Sequence, residues 1–234
     1  MSNFAFIFAR GGSKGVVGKN IKVIAGKPLI VHTIELALEN ASIDRLFVST
    51  DDQSIAIIAK EYGAEVPFIR PAELASDDAP EWLAWQHAIH YVNHNISRFD
   101  CFISLPTTAP CRSHQDVSGA ISKLRKDTDI VVTATESHHH PCFNMLKKDE
   151  LGYSRFIDSN STISRRQDAQ TAFNMTTVAY VSRPDFILNA SSMWEGNIDV
   201  QIVDSLNAID IDDLNDFRLA ELILQDRLNT KKEE

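Results

Sequence analysis

Five cations stand before the first carboxylate of this chain. Arg10, Lys14, Lys19, Lys22 and Lys27 all precede Glu35, although the 234 residues carry a net charge of −9. Three of the five fall in Arg10–Asn20, RGGSKGVVGKN, directly after an apolar run, Asn3–Ala9. Glycines let a chain turn tightly and present successive backbone N–H groups to an anion. With Arg10, Lys14 and Lys19 added, such a turn has the donors and the charge to hold a polyphosphate. Neither familiar phosphate motif fits. Five residues separate Gly12 from Gly18 where a Walker loop has four, Asn20 follows Lys19 where that loop has serine or threonine, and Gly-x-Gly-x-x-Gly is absent. On its own pattern the segment reads equally as a phosphate loop of another kind or as a basic turn without a ligand.

A second constellation lies near the other end. Asp210 and Asp212 are two apart, so in an extended segment both carboxylates point to one side and can reach one hard cation. The competing reading is a solvated helix start, because Asp212-Asp213 precedes a helical pattern and either could cap it. Other clusters carry less. His138-His139-His140 with Cys142 lacks the paired spacing of a structural zinc site. Cys111 beside Arg112 has no histidine near in sequence to make it a nucleophile. Trp82 and Trp85, three apart on a helical pattern, read as core.

The elements that must position these residues alternate. Asn3–Ala9, Arg45–Thr50, Ala64–Ile69, Asp100–Leu105, Asp129–Thr135, Thr177–Val181 and Ile198–Val203 read as strands. Pro28–Asn40, Gln53–Tyr62, Pro80–Asn95, Gln115–Lys126 and Leu214–Leu228 read as helices. Such alternation predicts an α/β fold of three layers, a mostly parallel sheet with helices on both faces. It places the glycine-rich loop at the carboxyl edge, where open α/β sheets bind ligands. Regularity breaks at about 136–174, a polar excursion too long for a simple connection. The whole of 1–234 reads as a single domain.

Composition sets the boundaries. Hydrophobic residues at 44% and charged residues at 24% are those of a globular chain with a sizeable core. The acidic balance argues against a nucleic-acid partner held by a broad basic face. No apolar run nears the roughly 18–20 residues that span a bilayer, so no membrane association is expected. Three cysteines are too few, and odd in number, for a disulfide framework. With no signal-peptide pattern at the start, the expected location is the cytosol.

Ala9-Arg10-Gly11-Gly12-Ser13-Lys14, with Lys19-Asn20 behind it, resembles the signature of the acylneuraminate cytidylyltransferases. Arg70-Pro71-Ala72-Glu73-Leu74-Ala75-Ser76-Asp77 is similar to a second family segment, and Leu105-Pro106-Thr107-Thr108-Ala109-Pro110 with Arg112 to a third. Ser49-Thr50-Asp51, Arg166-Gln167, Asp210-Ile211-Asp212 and Asp216 follow in family order, so the resemblance spans nearly the whole chain. It implies a Rossmann-like nucleotidyltransferase fold, a homodimer whose excursion reaches its partner, and transfer of CMP from CTP to a 2-keto-3-deoxy sugar acid, with Mg2+. By resemblance Arg10, Gly11, Gly12, Ser13, Lys14 and Lys19 hold the triphosphate and Asn20 holds phosphate or ribose. Arg70 and the backbone near Ala79 recognise cytosine, Asp210 and Asp212 bind the metal, Asp213 is the cap, and Arg166 faces the sugar carboxylate. Arg10, Lys14, Lys19 and Asp212 are the expected catalytic set.

Departures from the family cluster on the sugar side. Leu105 stands where a glutamine is expected, Glu81 near a serine, Phe143 near a lysine, and Asn174-Met175-Thr176-Thr177 in place of Arg-Pro-Asn-Gly. Glu81, Leu105, Arg166 and Asn174 are therefore the candidate sugar contacts, and N-acetylneuraminate is not the expected best substrate. The alternatives are a CMP-KDO-type or other sugar nucleotidyltransferase, or a non-catalytic nucleotide-binding module on the same fold.

Overall fold

The structure, a computed structural model, describes residues 1–12, 15–158, 165 and 169–233. Its frame is one sheet of six strands, β1 (Asn3–Phe8), β4 (Arg45–Ser49), β5 (Cys101–Ser104), β6 (Ile130–Glu136), β9 (Phe173–Ser182) and β10 (Ile198–Ile202), in the order β10-β6-β9-β5-β1-β4. Strand β1 pairs in parallel with β4 and β5, and β10 with β6, whereas β9 runs antiparallel to both its neighbours. The remaining strands form two small hairpins, β2 (Val23–Ile24) with β3 (Lys27–Pro28) and β7 (Leu146–Lys148) with β8 (Ser154–Phe156).

Alternation along β1 explains the layering. Its odd-numbered side chains, Ala5 and Ile7, enter one core with Leu46, Val48, Cys101 and Ile103, covered by α1 (Leu29–Glu39), α2 (Gln53–Glu61) and α4 (His114–Ser122). The even-numbered Phe4 and Phe6 enter the other with Phe47 and Phe102, under α3 (Glu81–Asn95) and α5 (Pro184–Asn189). A strand apolar on both faces must be covered on both, which is the three-layer arrangement expected. Trp82 and Trp85 lie in this second core, Trp82 edge-on to Phe186 and Trp85 tilted against Phe102 and Tyr180. The last helix, α6 (Leu214–Glu233), packs Phe217 and Ala220 on Val16, Ile24 and Leu29 and so covers the glycine-rich loop.

Two expectations need correction. Ala64–Ile69 is no strand: it makes a single bridge, Phe47 to Glu65, and Pro67, which lacks an N–H, ends any ladder. The strand expected at Thr177–Val181 starts earlier, at Phe173, because β9 also pairs with the far half of β6. Helix α5 and the two hairpins escaped the sequence reading, being too short to show a period. Among the described residues no helix is long and apolar enough to cross a membrane.

Candidate active site

Parallel strands bring their carboxyl ends to one edge. There the β1 end (Phe8, Arg10), the β5 end (Pro106, Thr107, Thr108), Arg70 and the Leu74–Ala79 turn, the α3 start (Glu81) and Asp210 and Asp212 enclose a cleft of about 410 Å³. A second lobe of about 280 Å³ shares Phe8, Arg10, Thr107, Thr108 and Asp212 and adds Gly15, Lys19 and Asn20. The basic loop and the acidic segment, nearly 200 positions apart, thus wall the same space.

Close packing holds them there. Lys19 Nζ donates to the Ile211 carbonyl at 2.6 Å. A Cβ on Gly15 would lie 2.1 Å from the Asp212 carbonyl oxygen, so this approach needs a glycine. Asn20 is buried and works as a clamp: its Nδ2 donates to the Arg10 carbonyl at 2.9 Å, and its Oδ1 accepts from Thr107 Oγ1 at 2.6 Å. Both ends of the amide bind protein, and Asn20 also lines the smaller lobe. Gly11 donates its N–H to Asp51 Oδ1 at 3.1 Å and not into the cleft.

Arg10 reaches across the cleft to Asp77 at 2.7 Å. Arg70 is buried, with its Nη2 3.7 Å from Asp51 and its Nε without any hydrogen-bond partner. Burial lowers the Arg70 pKa, and Asp51 and Glu81 partly offset this. A buried guanidinium with an orphaned N–H at a cleft wall is ready for an acceptor-bearing ligand, because leaving it unpaired is costly. Asp210 carries a matching orphan on the acidic side, a buried Oδ1 with no partner, and Asp212 lines both lobes. Two carboxylates of which one has an unpaired oxygen fit a hard cation shared with phosphate oxygens. Asp213 is the helix cap, accepting from the N–H groups of Asn215 and Asp216 at 2.6 and 3.1 Å, while Asp216 accepts from Asp212 and Asp213.

On the sugar side the sequence reading was partly misplaced. Leu105 is fully buried in the α1–α2–α4 core, sharing the parity of Cys101 and Ile103, and touches no cleft. Asn174 pairs with Thr135 on an exposed stretch of β9 and lines neither lobe. Glu81 does line the cleft. Its carboxyl opens to the cavity but protein crowds it on the other sides. That crowding raises its pKa, and the Trp85 indole N–H at 3.2 Å and the Arg70 charge pull it back. Ala79 lies at the rim beside Asp77. Ser13, Lys14 and Arg166 lie outside the described residues.

Of the sugar-side run Asn174–Thr177 only Thr177 lines the cleft, and Tyr180 beside it was not anticipated. They come from an irregularity: Val132 pairs with Tyr180 but Thr133 with Thr176, so β9 carries three extra residues there. Thr133 Oγ1 patches the break by accepting from the Ala179 N–H at 3.1 Å. Burial, then Glu81 and Asp210, push the Tyr180 hydroxyl up to about 12. Cys111, by contrast, is buried against α6 and pushed up to about 11, so it is no nucleophile. Arg112 is a structural clamp, its guanidinium on Thr33 and the Pro106 carbonyl. No His, Cys, Asp and Glu group suited to a metal by itself occurs among the described residues, the His138–His140 run included.

A mostly parallel sheet with cations, an unpaired arginine N–H and paired aspartates around one edge cleft is that of a nucleotide-handling α/β enzyme. The chain belongs to the cytidylyltransferase family, whose model matches residues 4–191. It is 32% identical over 94% of both chains to a post-translational flagellin modification protein B of Campylobacter coli. It is also 32% identical, over 93% of each, to a CMP-N,N'-diacetyllegionaminic acid synthase of Campylobacter jejuni. In fold it resembles a CMP:2-keto-3-deoxy-manno-octonic acid synthetase complexed with CTP, with a TM-score of 0.74 at 19% identity, covering 97% of this chain and all of the other.

Proposed function

We propose that this protein transfers CMP from CTP to the anomeric hydroxyl of a nonulosonic, 2-keto-3-deoxy sugar acid, releasing pyrophosphate. The carrying observation is that Arg10, Lys19, Arg70, Asp210 and Asp212, drawn from three separate segments, line one continuous cleft. The hydroxyl oxygen attacks the α-phosphorus and the bond to the pyrophosphate oxygen breaks. Charge moves onto the leaving group, so the reaction needs positioned cations more than a covalent nucleophile. Arg10 and Lys19, with Lys14 of the same loop, supply them, and Ser13 adds a hydroxyl donor. Arg70 donates to the acceptors of cytosine, which its orphaned Nε and buried plane suit. Asp210 and Asp212 would hold Mg2+, which would neutralise phosphate oxygens. The family and the C. jejuni relative support the class of sugar.

The same reading makes the protein a homodimer, and the family resemblance supports a cytosolic location. The 136–174 excursion supports the dimer: its β7–β8 hairpin leaves Leu146, Leu151, Tyr153 and Phe156 exposed, with Phe173 and Met175 on the adjoining β9. Incubation with CTP, Mg2+ and a panel of nonulosonic acids, KDO included, followed by pyrophosphate release, tests the activity. CTP binding without pyrophosphate release for any sugar would make the chain a binding module instead.

A further inference from the structure

The cleft receives two anions, CTP and a sugar acid, if the activity proposed above is right. One wall of it nonetheless presents a carboxylate that no cation contacts, although the Arg70 charge acts on it from farther off. Glu81 makes no ion pair within 4.0 Å among the described residues, and its one hydrogen bond comes from Trp85 Nε1 to Oε1. Trp85 is itself buried against Phe102 and Tyr180, so this contact anchors the carboxyl group at Oε1, while Oε2 has no hydrogen-bond partner among the described residues and the side chain lines the cavity. Tyr180 lines the same wall, and its hydroxyl has no hydrogen-bond partner among the described residues.

A substrate that fills this space without offering a donor would bury an unpaired carboxylate against apolar or anionic surface, at heavy cost. A donor on the substrate reverses the sign of that effect. We infer that Glu81 selects the sugar acid by accepting a hydrogen bond from an amino or hydroxyl substituent on it, with the amine preferred. The acid thus offsets, on the sugar side, the very feature that makes it unfavourable in the empty cleft. A purely structural role, an acid in the first turn of α3 stabilised by the helix dipole, predicts no such dependence on substrate.

Matched nonulosonic acids carrying amino, hydroxyl or hydrogen at C5, C7 or C8 test this, with kcat/KM read by pyrophosphate release. The wild-type protein is expected to lose on the order of 10–100-fold when the donor at one of these positions becomes hydrogen, the range for a hydrogen bond to a charged group. Glu81→Leu should flatten that ratio while leaving the KM for CTP within about threefold. Glu81→Gln keeps the acceptor for Trp85 and so the fold. It should lose the preference for amine over hydroxyl by roughly tenfold, and this variant decides the matter if Glu81→Leu does not fold. Unchanged ratios in Glu81→Gln, or a wild-type enzyme indifferent to the donor, overturn the inference and leave the cytidylyltransferase reading standing. Wild-type failure with every sugar acid would sink both.

Discussion

Lys19 Nζ lies 2.6 Å from the carbonyl oxygen of Ile211, a residue 192 positions later. This contact joins the cationic loop to the segment that carries Asp210 and Asp212, and one ammonium proton accounts for it. Two donors remain on a side chain that lines the smaller lobe of the cleft, where a triphosphate would meet them.

Lys19→Ala and Arg10→Ala are therefore expected to lower kcat by on the order of 10²–10³, the usual cost of removing one preorganised electrostatic contact. Arg10→Ala should leave the melting temperature nearly unchanged, because its Asp77 partner is an exposed ion pair. Near-normal turnover of both variants at saturating CTP would remove them from the phosphate site.

Activity should require a divalent cation. Asp210→Asn and Asp212→Asn should each shift or abolish the Mg2+ titration. Full turnover in EDTA would eliminate the metal, and an unaltered titration in both variants would place it elsewhere.

Asn20→Ala should destabilise the protein by about 1–3 kcal/mol, since it strips partners from the buried Thr107 hydroxyl and the Arg10 carbonyl together. Asn20→Asp should not rescue it, because a carboxylate cannot donate to a carbonyl. Urea melts of the two variants check this. A wild-type midpoint in either would mean that the clamp carries little of the loop's stability.

Glu81 gives a pH dependence whose sign is fixed. Its folded-state pKa is raised, chiefly by desolvation, so the folded protein keeps a proton that the unfolded chain has already lost. Stability falls as pH rises from the ordinary carboxylate range to the raised folded value, and stays at the lower level above it. Glu81→Gln should therefore melt higher than wild type at neutral pH, with the gain shrinking toward about pH 4. Parallel melting curves of equal offset at every pH would contradict this account.

Periodicity and turn chemistry in the sequence alone determined the strands, the long helices, the two-faced burial of the sheet and the glycine-rich loop at its carboxyl edge. These are local properties: a side-chain period of two needs only neighbouring residues, and a helix start needs only the residue that caps it. The cation set and the aspartate pair were legible for the same reason, as residue types at short spacing. Leu105 shows where the reading went astray. Its parity with Cys101 and Ile103 sends it into the core, and a family position was trusted over the period of two. Tertiary structure alone decided the rest. The antiparallel course of β9, its three-residue irregularity and so the arrival of Tyr180 in the cleft with Glu81 depend on pairing between segments some forty residues apart. The clamp at Asn20 and the contact of Lys19 with Ile211 join still more distant parts of the chain. No local pattern encodes such meetings, because they follow from how the layers close over one another and not from any one element's own preference.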